Sequence, residues 1–251
     1  MIFYFSGTGN SRYAALKIGS EVKEKTMPIV ACFKKNMFKF RVESNEIIGF
    51  VTPVYFWGLP TIVNDFLARI DLEIDNSYPP YLFHLTTCGV SPGGSIKIVE
   101  NYLKKKGLHL DSKFSVKMPD SWTPVFDLSD KEKVNKINFE AEKQIQQIIQ
   151  KIKNKEKGNF SKRNIPLFVV KLVYQIYEKY RKTENFTVEP TCIGCKKCAN
   201  LCPIEAIEIR DNKPVWVKDR CVLCLACLHH CPKLAIQYNN KTKNHGQYVH
   251  P

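Results

Sequence analysis

Eight of the chain's ten cysteines fall within 40 residues, in two copies of one pattern set 29 positions apart. The first copy reads Cys192-x-x-Cys195-x-x-Cys198-x-x-x-Cys202-Pro203. The second reads Cys221-x-x-Cys224-x-x-Cys227-x-x-x-Cys231-Pro232, and the match runs on to Ala206-Ile207 and Ala235-Ile236. A secreted disulfide scaffold spreads its cysteines through a small chain. Crowding them into one part of a 251-residue chain points to metal instead. Paired Cys-x-x-Cys motifs also build tetrahedral zinc sites. Zinc does not call for three cysteines in tandem, twice, each set closing on Cys-Pro, and that ending favours iron–sulfur clusters.

Across roughly Phe186 to Tyr238 the repeat resembles the bacterial two-cluster ferredoxins, a small α+β fold. The resemblance implies two [4Fe–4S] clusters. Three cysteines of each set hold three irons of one cubane, and the fourth reaches across to the other. On that rule Cys192, Cys195, Cys198 and Cys231 hold one cluster, and Cys221, Cys224, Cys227 and Cys202 hold the second. Backbone N–H groups in such loops donate to sulfur and stabilise an added electron. With all eight thiolates assigned, His229 and His230 are expected at the surface.

Upstream, strand-like and helix-like segments alternate. Ile2–Phe5, Pro28–Ala31, Ile47–Val51, Tyr81–Thr87 and Leu108–Val116 read as strands. Arg12–Lys25, Thr61–Ile70, Ser95–Lys106 and Lys131–Lys157 read as helices. This alternation predicts the α/β class: a doubly wound parallel sheet, with binding loops beyond the C-terminal ends of its strands. The expected divisions are a first domain over 1–158, a basic linker and helix over 159–185, the cysteine domain over 186–238, and a polar, frayed tail over 239–251. Met1–Phe5 is apolar but broken at once by Ser6-Gly7, and Ile165–Tyr177 is too short to cross a bilayer. A cytoplasmic protein is expected.

Three loops follow strands. The first, Ser6-Gly7-Thr8-Gly9-Asn10-Ser11, offers small residues, hydroxyls and a helix N-terminus, which suit a phosphate monoester. It lacks the Gly-Lys-Ser/Thr ending of a Walker loop and the G-x-G-x-x-G dinucleotide pattern, and a loop of this composition also serves as a plain turn. The second, Thr52-Pro53-Val54-Tyr55-Phe56-Trp57-Gly58, sets three aromatics at a strand's end. They are either core beneath a helix or the wall of a ligand site. The third, Thr86–Gly94, is rich in glycine.

Together the three loops resemble the flavodoxin family over about residues 1–155. The resemblance implies a five-stranded sheet of order 2-1-3-4-5 and bound FMN. By position, Ser6, Gly7, Thr8, Gly9, Asn10 and Ser11 would hold the phosphate. Pro53, Tyr55, Phe56, Trp57 and Gly58 would line the isoalloxazine, and Thr87, Cys88, Gly89 and Gly93 would follow its other edge. Residues 86–94 lack the aromatic that flavodoxins usually stack there. One flavin face is therefore expected to be open to a substrate, a partner or the cysteine domain. Cys88 reads equally as a small half-buried thiol. The whole chain resembles the flavodoxin–ferredoxin fusions, often grouped as EFR1-family ferredoxins.

The formal net charge is +14, and Lys151–Glu184 carries ten Lys/Arg against three Glu. Pro166–Lys182 reads as a helix with Leu167, Val170, Val173, Tyr174 and Tyr177 on one face. It serves as a bridge between domains, as a docking face for an acidic redox partner or, as a weaker alternative, as a membrane-surface element. The lysines follow no nucleic-acid-binding motif. The reading is an electron-transfer flavoprotein passing electrons between FMN and two clusters. The alternative is a ferredoxin-fed flavin reductase acting on a quinone or nitro compound. A redox sensor is a third class.

Overall fold

The computed structural model describes residues 1–74, 79–162, 165–239 and 242–251. In chain order its first part contains β1 (Ile2–Tyr4), α1 (Asn10–Val22), β2 (Thr26–Pro28), α2 (Ile29–Lys34), β3 (Lys39–Val42), β4 (Ile47–Pro53), α3 (Thr61–Arg69), β5 (Asp71–Ile74), β6 (Tyr81–Cys88), α4 (Ser95–Lys104), β7 (Ser112–Lys117), α5 (Lys131–Lys153) and β8 (Gly158–Asn159). One parallel sheet takes the order β2-β1-β4-β6-β7-β8.

The five main strands follow the expected order, but the sheet has six, because Gly158–Asn159 pairs with Ser112–Lys113 at its edge. A separate parallel pair, β3 with β5, arises where no strands were expected. The expected strand Pro28–Ala31 is also corrected: the strand ends at Pro28 and the next six residues are helical. A short apolar run carries no period that separates the two states.

The central strand β6 is buried along its whole length, as a parallel strand covered on both faces must be. On one face α1 and α5 pack Ala14, Ile18, Ile145 and Ile149 against Ile2 and Phe114. On the other, Phe3, Phe50, Phe66 and Val99 form a second core. His84 lies within β6. Its Nε2 is 2.9 Å from Thr52 Oγ1, its Nδ1 has no partner, and burial lowers its pKa to about 3.

The helix α6 (Leu167–Tyr180) then runs between the two halves of the chain. Tyr174 Oη donates to Leu59 O in the first half, and Tyr177 Oη donates to Val222 O in the second. The cysteine-rich part comprises β9 (Phe186–Val188), α7 (Lys197–Asn200), β10 (Ile207–Arg210), β11 (Lys213–Trp216), α8 (Ala226–His229) and β12 (Ile236–Tyr238). Strand β9 pairs with β12, and β10 with β11, both antiparallel. The sequence repeat is also a backbone repeat. Left-handed φ values recur at Gly194 and Leu223, at Lys196 and Leu225, and at Glu205 and Leu234, each pair 29 positions apart.

Candidate functional site

The first loop ends where α1 begins. Tyr13 N–H donates to Gly9 O as the first helical bond, and no side chain caps the helix. The amides of Asn10, Ser11 and Arg12 are therefore left without intrahelical acceptors. No acidic residue stands in the first turn to compete for them. Ser6 Oγ accepts from Gly9 N–H, and Ser11 Oγ lies 2.7 Å from Thr87 Oγ1, which ties the first loop to the third. Free amides, hydroxyls and a helix N-terminus suit an anion.

The second loop is a two-residue hairpin. Tyr55 and Gly58 exchange backbone bonds at 3.0 and 2.8 Å, and Phe56 and Trp57 take φ of 48° and 60°. This turn normally uses Asn-Gly, because both central residues must be left-handed. Two aromatics there cost about 1–3 kcal/mol each in strain, a burden that marks functional sites. The Gly58 amide is spent inside the hairpin, and its Cα packs on Tyr174. Gly93, at φ 59°, lets the third loop close on the hairpin; a Cβ there would meet Trp57 O at 2.3 Å.

These loops border a cavity of about 230 Å³. Of the residues expected in the site, Ser6, Gly7, Thr8, Asn10, Ser11, Pro53, Tyr55, Phe56, Trp57, Thr87, Cys88 and Gly89 line it, whereas Gly9, Gly58 and Gly93 do not. Cys88 is buried, and burial pushes its thiol up to about 11, so it is a neutral thiol at neutral pH.

Two further wall segments come from outside the three loops. The loop after β7 contributes Asp120, Trp122 and Phe126, and the cysteine domain contributes Leu223, Cys224 and Leu225. Residues 86–94 bring no aromatic to the cavity; the aromatics of this wall, Trp122 and Phe126, come from the fourth loop, and the cysteine domain, one of the occupants expected beside the flavin, stands next to them. Trp122 packs edge-on to Phe56 at 5.3 Å, and Phe56 stacks on Tyr177 at 5.4 Å. The Asp120 carboxyl accepts from Trp122 N–H, and burial raises its pKa.

The cysteines lie in two groups. Cys192, Cys195, Cys198 and Cys231 border one small cavity, and Cys202, Cys221, Cys224 and Cys227 border another. Each set surrounds a space rather than meeting at a point, which suits the body of a cubane. Sγ atoms of Cys202, Cys221 and Cys231 accept from the amides of Ala206, Leu223 and Ala235 at 3.2–3.3 Å. Such bonds stabilise thiolate and added negative charge. The second set is the inner one. A Cβ on Gly7 would lie only 2.5 Å from Cys224 O. The first set is outer, with Cys195 exposed.

Two surface expectations fail here. His229 is buried, its Nε2 bonded to Ser121 O and its Nδ1 accepting from Tyr248 N–H. The tail, expected to fray, folds back over the first loop. His250 N–H donates to Thr8 O, and the Tyr248 hydroxyl donates to Asn10 Oδ1 at 2.7 Å. A polar tail hides this role because its partners are distant in sequence.

A flavodoxin-domain family model matches residues 1–147. A 4Fe-4S dicluster-domain model matches residues 191–236. No curated protein matches the chain. Among solved structures, the Trp repressor binding protein from Bacillus subtilis is 12% identical. That match covers 57% of this chain and 97% of that one, with a TM-score of 0.35. The rubredoxin oxygen:oxidoreductase from the anaerobe Desulfovibrio gigas is 15% identical, over 60% of this chain and 36% of its own, with a TM-score of 0.31.

Proposed function

Because this chain belongs to the flavodoxin family and carries a 4Fe-4S dicluster domain, we propose that it passes electrons between FMN and its clusters within one chain, and onward to an acidic redox protein. When bound, FMN supplies two-electron capacity and each cubane supplies one. Electron transfer by a flavin and iron–sulfur protein follows from the two domains; the route and the partner are the proposal.

One observation carries the route. The loop Leu223–Leu225, which includes a thiol of the inner set, lines the same cavity as the phosphate loop and the aromatic hairpin. In this reading Ser6, Thr8 and Ser11 and the first amides of α1 hold the phosphate. Tyr55, Phe56, Trp57 and Trp122 orient the ring and exclude water. Leu223 and Leu225, at φ 58° and 54°, press the inner thiolate loop against the flavin cavity. At the opposite end Ile193 is 60% exposed beside Cys195, Lys196 and Lys197, an apolar and basic rim that suits an acidic carrier. The reductase alternative needs room beside the flavin for a substrate, and Trp122, Phe126 and the Leu223–Leu225 loop take up that wall.

Anaerobic purification should yield about eight irons and eight sulfides with one FMN per chain. Cys224→Ser should lose about half the iron and keep the flavin. Full iron content in that variant would contradict the ligand assignment. A native protein with clusters and no flavin would contradict the reading of the loops.

A further inference from the structure

The helix α6 has two apolar faces, and only one is covered. Val170 and Tyr177 are buried against the rest of the chain. On the other side Phe168, Leu172, Ile176 and Tyr180 remain 69%, 62%, 47% and 38% exposed. Residues four apart lie about 40° apart round a helix, so these four form a ridge roughly 18 Å long, open at Phe168, Leu172 and Ile176 and turning onto Phe56 and Trp122 at Tyr180. An unbroken line of large apolar side chains differs from the scattered exposure of an ordinary surface. Lys171 and Lys179 flank it, both exposed. The only carboxylate on the helix, Glu178, is engaged by Arg181 and Arg220, so neither ammonium has an acidic neighbour along α6.

We propose that this ridge docks the protein on an anionic lipid surface, with α6 lying in the interface plane. At 14 residues the helix is too short to cross a bilayer. An interfacial helix sinks its apolar side chains to the acyl boundary while lysine ammoniums reach the headgroup phosphates. The formal charge of +14, of which two thiolate-bound cubanes offset about four, leaves a basic chain whose field adds long-range attraction to such a surface. A second copy is disfavoured, because pairing the ridges would bring the lysines that flank one against those that flank the other. A protein partner must supply a matching surface of about 800 Å²; a lipid interface needs only the line of side chains itself. Docking here has a consequence for the flavin site. Tyr180, the last residue of the ridge, packs on Phe56 and Trp122 at about 6 Å, so the cavity wall would sit next to the membrane surface.

The test is vesicle flotation of the full, cofactor-loaded chain. One set of vesicles is phosphatidylcholine alone, and the other holds equal parts phosphatidylglycerol. The native protein should float with the anionic set, roughly tenfold more than with the neutral set, and should be released by high salt. Leu172→Glu with Ile176→Glu should abolish flotation while visible spectra show flavin and clusters intact. Lys171→Gln with Lys179→Gln should reduce it several-fold. A native protein that stays in solution with anionic vesicles overturns the proposal, as does a double-glutamate variant that still floats. If light scattering shows a native dimer that the double-glutamate variant turns into a monomer, the ridge belongs to a second copy and the proposal also fails.

Discussion

Gly7 and His84 show how single residues fix both the junction and the core. A Cβ on Gly7 would lie 2.5 Å from the Cys224 carbonyl and 3.0 Å from the Cys224 Cβ, and backbone cannot give way as a flexible side chain can. Gly7→Ala should therefore separate the flavin cavity from the inner thiolate loop. The expected cost is about 1–3 kcal/mol in denaturant unfolding, with iron content unchanged. Native stability in that variant would show the two halves to be loosely joined. His84 acts through protons. Unfolded, it titrates near 6.5; in the fold burial holds it neutral down to about 3. A depressed histidine contributes stability that is whole above 6.5 and is lost as pH falls below it, at about 1.4 kcal/mol per pH unit. Between pH 6.5 and 5 the loss is about 2 kcal/mol. His84→Gln should remove that part of the slope, read from denaturant midpoints, and an unchanged slope would show that other groups set it.

At the scale of elements, the strained hairpin and the tail together hold the first loop and its aromatic wall. Gly93→Ala would drive a Cβ into Trp57 O at a left-handed φ. It should destabilise by about 1–3 kcal/mol and weaken FMN retention, followed by flavin fluorescence on dilution. Tyr248→Phe removes the hydroxyl that Asn10 and Asn138 share; the part holding Asn10 is worth about 1 kcal/mol, so FMN affinity should fall a few-fold. Equal affinity would make the tail a passive cover. What could be read beforehand divides along the same line. Cysteine spacing is local, so the two cysteine groups can be read from the chain alone, as can the positions of the three loops that follow strands. Trp122, Leu223 and Leu225 were not, because only tertiary packing brings them to the cavity. The hairpin at Tyr55–Gly58 ran against the turn preference of its own residues, which sequence rules take as evidence against a turn. The second stripe of α6 has the right period, but it lies on a helix apolar on both sides, and periodicity does not say which side is buried. His229, beside a cluster ligand, was placed at the surface because its partners Ser121 and Tyr248 belong to other parts of the chain.

At the scale of the molecule, α6, His229 and the tail pin the two halves in one arrangement. Tyr174 and Tyr177 reach opposite partners, Arg181 binds Cys221 O, and a shared apolar cluster joins Tyr55, Phe56 and Trp122 to Phe186, Leu223 and Leu228. One thiol of the inner set, Cys224, therefore lines the cavity that the three loops border in its own chain, and in the outer set Cys195 is exposed. The direct measurement is electron redistribution after a flash reduces the flavin of the anaerobic protein, followed at cluster wavelengths over a wide range of protein concentration. A single first-order rate independent of concentration is the expected result. A rate that rises in proportion to concentration would mean that electrons cross between molecules, and that the cavity shared with the Leu223–Leu225 loop is not the path.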